Sequence, residues 1–270
     1  MVKITKITVQ KRNLERYNIF LARGEGEEYG FSVDQDVLIK CGLKKGLEIN
    51  EDEIKAIIEE DDKKKTYHLA LHFLSYRMRS IGEVKSYLTK KERQQSHIDF
   101  TVEKLIEQRF LDDKAFAEAY VKTKKNTTLK GPKKIKQELK DKEVSEIIID
   151  HALLIYSEHE QLLRLEKWLD KQWSRKGKQS LVAYQQKLVQ RLLSKGFNYE
   201  IIDQALKKVA IEENLEEEWE AVLYQGMKIK LKQEKKFKGW DLKQRIKQNL
   251  YSKGFSASLI DKFIEGNYEE

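Results

Sequence analysis

The sequence predicts a mainly α fold: tandem three-helix repeats in an elongated array, preceded by a small N-terminal β-rich module of α+β type. Three observations predict it. Helix breakers are scarce, with one proline and 13 glycines in 270 residues. Apolar residues recur at helical spacing through most of the chain and alternate only near its start. A helix–turn–helix pattern then returns at a constant offset of 58 residues. Charged residues make up 36% of the chain and mean hydropathy is −0.71, so much of the surface is solvated. The periodicity and an aromatic content of 10% argue against simple disorder.

In the N-terminal module, Tyr17, Ile19 and Leu21 alternate with polar residues, as do Tyr29, Phe31 and Val33. Gly24-Glu25-Gly26 is the hairpin turn between them. An earlier strand has Val2 and Ile4 in one phase and Ile7 and Val9 in the other, which a bulge near Lys6 reconciles. Ser32 followed by Gln35 resembles a capping box opening a helix through Val37, Leu38 and Cys41, and Gly42 stops it. Asn50 and Glu53 repeat that signal ahead of Ile54, Ile57 and Ile58. The helical pattern resumes across Leu69, Phe73 and Tyr76, with Lys63 to Lys65 as either a break or an exposed turn.

The centre of the chain, residues 109 to 144, carries the strongest local signals. Asp112 and Asp113 follow Phe110 and Leu111 and can cap a helix in which Phe116, Tyr120 and Thr123 recur. Gly131 and Pro132 mark the next helix start, because proline has no N–H to lose there, and Ile135 and Leu139 form its buried stripe. The stretch 186 to 206 repeats at 244 to 264, pairing Leu192 with Leu250, Phe197 with Phe255 and Asp203 with Asp261. Gly196 and Gly254 suit the left-handed residue that ends a helix. Each phenylalanine then staples to Ile202 or Ile260, around the caps Asn198 and Ser256. In an earlier copy, residues 135 to 153, Glu143 and Val144 occupy the glycine and phenylalanine positions, with Ser145 and Ile149 completing the staple. A looser first copy runs from Gly82 through Val84, Leu88 and Val102 to Ile106. Further helices through Leu162-Leu165-Leu169 and Leu215-Trp219-Val222 fill the gaps. The resulting division is a strand-rich module at 1–60 and repeats at 61–110, 111–156, 157–211 and 212–270. One such repeat cannot bury its apolar face alone, so neighbours must stack.

The chemistry expected is binding, not catalysis. His68 and His72 are four apart, but Leu69 stands where a zinc motif needs glutamate and no third ligand follows. Gly24, Gly26 and Gly30 lack phosphate-loop spacing and sit beside Glu25, Glu27 and Glu28. No catalytic residues, metal or cofactor are expected. Cys41 is the only cysteine, so no internal disulfide can form. No apolar run reaches the ~18 residues of a membrane span, and Met1 to Thr5 lack a signal-peptide core, so a cytoplasmic address is expected.

The net charge is +8 and the pI about 9.1. Residues 1 to 60 carry ten basic and twelve acidic side chains, so the excess lies elsewhere. Lys122, Lys124, Lys125, Lys130, Lys133, Lys134 and Lys136 surround the helix start at Pro132, where backbone N–H groups already favour anions. A second block, 228 to 253, has ten basic residues against Glu234 and Asp241, includes Lys235, Lys236 and Lys238, and interleaves Phe237 and Trp240. Arg77 and Arg79 add charge in the first repeat. Any one of these lysines suits a solvated face, and each aromatic suits a buried one. As a set they favour contact with a polyanion, because phosphate neutralisation is additive. The acidic helix start Glu212 to Glu220 is a counterweight that suits a mixed-charge protein partner.

Arg109-Phe110-Leu111-Asp112-Asp113, Ala115-Phe116-Ala117, Ala119-Tyr120 and the run from Gly131-Pro132 to Leu139 strongly resemble the RecX family of recombination regulators. Tyr76-Arg77, Arg79-Ser80, Glu83 and Leu88 match the family's first motif, and the likeness covers about residues 66 to 265. The N-terminal module looks like that of the longer Gram-positive members. The chain departs from the pattern at Arg109, where glycine is common, and at Glu143, which interrupts a usual Lys-Gly turn. The resemblance implies a non-enzymatic, monomeric regulator of homologous recombination, DNA repair and the SOS response. It would lie along the groove of a RecA–single-stranded DNA filament and modulate, typically inhibit, RecA's ATPase, strand-exchange and co-protease activities. Its partners would be the RecA filament and single-stranded DNA, with duplex DNA as a further candidate and no membrane. The alternatives are a helical-repeat nucleic-acid-binding protein without a recombinase partner, and a protein–protein adaptor.

Overall fold

The computed structural model describes residues 1–24, 26–173, 175–209 and 215–268. Glu25 of the expected turn, and Glu212 and Glu213 of the expected acidic helix start, lie outside the described residues. The strands are β1 (Val2–Val9), β2 (Arg16–Arg23), β3 (Gly26–Asp34) and β4 (Glu48–Ile49), in the antiparallel order β3-β2-β1-β4. The phase change in β1 is a register shift between Ile4 and Lys6 against β2. It lets Ile4 and Ile7 both pack toward one core with Ile19, Leu21, Phe31 and Val33.

The first helix, α1 (Gln35–Lys40), is capped by Asp34, whose carboxylate accepts the Asp36 N–H at 3.0 Å. Ser32 is not the cap: it sits inside β3 and accepts from the Arg16 guanidinium at 3.2 Å. A carboxylate two residues before an N–H outcompetes a serine whose backbone is held in a sheet. Helix α2 (Glu51–Ser75) opens with the Asn50–Glu53 capping box and runs unbroken through Lys63 to Lys65. It crosses the expected boundary at residue 60: Ile54 and Ile57 join the sheet's core, while Tyr67 and Ala70 join the next one. Buried Asp61 explains the continuity. It accepts from Arg16 at 2.8 Å, from Lys65 at 2.9 Å and from the Asp34 N–H at 2.7 Å, which ties the helix to the sheet.

The remaining helices are α3 (Ile81–Lys90), α4 (Gln95–Glu107), α5 (Asp113–Thr127), α6 (Pro132–Lys140), α7 (Glu146–Leu153), α8 (Glu158–Trp173), α9 (Leu181–Ser194), α10 (Tyr199–Lys208), α11 (Leu215–Gln233), α12 (Gly239–Ser252) and α13 (Ala257–Tyr268). They form two units. One holds Met1–Ala117 and Lys140–Ile148; the other holds Glu118–Leu139 and Ile149–Glu270.

The turn between the second and third helix of each repeat follows one plan. Gly196 (φ 88°) donates to the Leu193 carbonyl and the Phe197 N–H to the Leu192 carbonyl; Gly254 (φ 82°) and Phe255 do the same with Tyr251 and Leu250. Phe197, Phe255, Ile202 and Ile260 are all buried. Glu143 stands in the glycine position at φ 60°, and the departure at Arg109 also falls at φ 60°. These turns keep the left-handed backbone without glycine, which costs about 1 kcal/mol each. In the first repeat Leu105, not Ile106, faces the core, and Leu215 is an exposed start to α11.

That turn is also a joint. The carbonyl just before the left-handed residue receives the start of the preceding repeat's second helix. Ser80 Oγ donates to the Lys142 carbonyl at 2.7 Å, the Gly131 N–H to the Lys195 carbonyl at 2.8 Å, and Ser180 Oγ to the Lys253 carbonyl. An acid then takes the next N–H: Ile81 donates to Asp113 at 2.8 Å and Leu181 to Glu218 at 3.0 Å. At the middle joint that position is Pro132, which has no N–H to satisfy. Asp113 is therefore a long-range acceptor, while Asp112 is the cap of α5 and accepts the Lys114 and Ala115 N–H groups.

Candidate nucleic-acid interface

The joints place α6 so that its first turn begins at a buried glycine and leaves Lys133 and Lys134 exposed. Among the described residues no ion pair reaches either side chain, nor Lys122, Lys235, Lys236 or Lys238. Of the expected site residues, these six carry charge that the chain does not spend on itself. The other expected site residues differ. Lys125 donates to the Ile155 carbonyl at 3.0 Å and to Glu160 at 2.8 Å. Lys130 pairs with Glu138, and Lys136 with Asp150. Lys124 rests over the Tyr120 ring at 5.0 Å, and the Tyr120 hydroxyl donates to Glu138 at 2.9 Å. Half of the lysine block is thus internal scaffolding around α6, and its exposed remainder carries the surface charge.

Arg77 and Arg79 are committed as well. Arg77 forms a fork on Glu83, at 2.8 and 3.2 Å, while the Arg79 guanidinium lies 3.9 Å from the Phe73 ring, which itself stacks on Tyr87 at 4.1 Å. Glu83 also accepts from Lys142 at 2.7 Å and from the Ser80 N–H at 3.2 Å. Burial pushes its carboxyl up, but Arg77, Lys142 and the Ser80 N–H outweigh that and bring it from 4.5 to about 2. The stability this contributes is complete above pH 4.5 and disappears as pH falls toward 2. Glu83→Gln should therefore flatten the loss of urea resistance between those two pH values. An unchanged acid limb would mean that the cluster does not hold its joint. Asp113 acts with the opposite sign: burial raises it, so ionisation above 3.8 subtracts stability.

Of the expected structural motif, Leu111, Phe116 and Gly131 are buried and Pro132 is the first residue of α6, but Phe110 is 57% exposed. His68 lies 3.6 Å from Asp34, and His72 faces the Tyr76 hydroxyl at 3.4 Å. Among the described residues no helix is long and apolar enough to cross a membrane.

In the second basic block the two aromatics part company. Phe237 packs against the core of Val222, Leu242, Ile246 and Phe263, with the Arg245 guanidinium 3.8 Å from its ring. Trp240, at the start of α12, is 71% exposed. Periodicity alone does not separate them, because both fall where α12 begins. A 58-residue comparison does not help either: it pairs Trp240 with Val182, an apolar residue that only the structure shows to be exposed.

Family models match most of the chain. The model described as the regulatory protein RecX N-terminal domain covers residues 2–50. The first and second RecX three-helix domains cover 67–105 and 112–153. The third matches twice in tandem, at 159–206 and 216–264. A regulatory protein RecX of Halalkalibacterium halodurans is 50% identical over 264 residues, 98% of this chain and 99% of the relative. The RecX proteins of Bacillus cytotoxicus and Oceanobacillus iheyensis are 43% and 40% identical, each covering both chains completely. A crystal structure of a regulatory protein RecX superposes with a TM-score of 0.65 at 35% identity, over 77% of this chain and 100% of that one. RecX from Lactobacillus salivarius gives a TM-score of 0.53 at 36% identity, over 56% and 97%. With an N-terminal sheet, tandem three-helix domains and full-length relatives all of one kind, the chain belongs to the RecX family of regulatory proteins.

Proposed function

We propose that this chain regulates homologous recombination and the SOS response by binding the groove of a RecA–single-stranded DNA filament. There it modulates, and typically inhibits, the recombinase's ATPase, strand exchange and co-protease activities. It acts by binding, as a cytoplasmic monomer without a cofactor. The observation that carries this reading is the set of exposed lysines, headed by Lys133 and Lys134, that meet no ion-pair partner among the described residues. Lys133 and Lys134 are held on the start of α6, which the Gly131 and Lys133 N–H groups anchor to the Lys195 and Gly196 carbonyls. Unspent cations beside a helix N-terminus attract phosphate without reading sequence, as a nucleoprotein partner requires. Membership of a family of RecX regulatory proteins supports a recombinase as the partner.

The test is affinity for recombinase-coated against naked single strands of one length at moderate salt. Markedly tighter binding to the coated strand supports the proposal. Equal binding favours a helical-repeat nucleic-acid-binding protein with no recombinase partner.

A further inference from the structure

We infer that Trp240 is a stacking platform for an unpaired nucleobase, so that the last repeat reads single-stranded character through a base and not only through phosphate charge. This rests on the nucleic-acid part of the proposal above and needs no recombinase. Of the four tryptophans, Trp168, Trp173 and Trp219 are part-buried and occupied: Trp168 under Arg191, Trp173 against Tyr184, Trp219 under Lys262. Trp240 alone stands out among them, 71% exposed.

Its setting is cationic. Lys235, Lys236 and Lys238 precede it, exposed and unpaired among the described residues. A large exposed indole is costly to leave in water unless something covers it, and the lysines select a polyanionic cover. A nucleic-acid strand with splayed bases satisfies both, since every base has a π face and every linkage a charge.

A second ring extends the surface. Tyr251, 72% exposed, lies on the same face of α12 as Trp240, eleven residues on and about 16 Å along the axis. Lys247 lies between them on that face and pairs with Asp261 at 2.7 Å. Beside Lys247 and Tyr251 the face opens on a groove of about 240 Å³ that Gln248, Ala257, Ile260 and Asp261 complete. A duplex hides its base faces in the stack and offers these rings only its backbone, so the platform discriminates for single strands.

The experiment titrates the full chain with a 20-residue oligothymidylate, an abasic oligomer of the same length and charge, and the matching duplex, following tryptophan emission. Trp240→Phe identifies which part of the signal belongs to Trp240. Oligothymidylate should quench that component, and the other two strands should leave most of it. Trp240→Ala should weaken oligothymidylate binding roughly tenfold while hardly changing affinity for the abasic strand; Tyr251→Ala should have a smaller effect of the same kind. Both side chains are exposed, so far-ultraviolet circular dichroism should match the parent. Equal quenching by the abasic strand overturns the inference. So does Trp240→Ala binding oligothymidylate normally while losing recombinase, which would make the patch a protein contact.

Discussion

Gly131→Ala is expected to destabilise the chain by about 3–5 kcal/mol, far more than an ordinary glycine replacement. The reason is a backbone-on-backbone contact. A β-carbon at Gly131 would sit 2.5 Å from the Phe197 nitrogen and closer still to the Gly196 carbonyl. No flexible side chain is there to move aside. Relief would require separating the two segments. That loses the bonds from the Gly131 N–H to the Lys195 carbonyl, 2.8 Å, and from the Lys133 N–H to the Gly196 carbonyl, 3.1 Å. Each contributes about 1 kcal/mol net, and overpacking adds about 1–3 kcal/mol. Gly177→Ala is the control. Gly177 has φ 62° with nothing within 4 Å, so only backbone strain applies, at about 1 kcal/mol. Urea denaturation of both variants checks this. Equal losses would show that the α6 start is not wedged against the α9–α10 turn.

The double replacement Lys133→Glu with Lys134→Glu should weaken binding to a recombinase–single-strand filament at least tenfold near 0.1 M salt. It should also lower the slope of log affinity against log salt by about two, one for each phosphate contact removed. Both side chains are exposed and meet no ion-pair partner among the described residues, so the fold should be untouched. Lys125→Glu separates charge from scaffolding. Its amine is held by Glu160 and the Ile155 carbonyl, so reversing it should reduce stability and leave the salt slope nearly unchanged. If Lys125→Glu changed the slope as much as the pair does, net charge and not the exposed α6 surface would govern binding.

Much of the fold was legible because its signals are local. The bulge near Lys6, the Asn50–Glu53 box, the Asp112 cap, Pro132 at the start of α6 and the Gly-Phe turns each depend on residues within five of one another. What escaped depends on distant partners. Ser32 reads as a cap until Arg16 and the sheet claim it. Asp113 reads as a second cap, yet its acceptor work lies at Ile81, 32 positions back. Lys63 to Lys65 read as either a break or an exposed turn until Arg16, 45 positions before Asp61, ties the helix at Asp61 to the sheet. The site was legible as composition and illegible as geometry. A lysine run does not reveal that Lys125, Lys130 and Lys136 meet acids along their own stretch or the helices that follow while Lys133 and Lys134 do not. Arg77 and Arg79 look like free cations until Glu83 and the Phe73 ring are found beside them.

Single-strand-dependent ATP hydrolysis by the cognate recombinase, with and without this protein, tests the central claim most directly. Regulation through the filament predicts hydrolysis that falls as the protein is added and recovers with the Lys133→Glu, Lys134→Glu variant. A rate that stays constant at every ratio of protein to recombinase, with the strand fully coated, would contradict it.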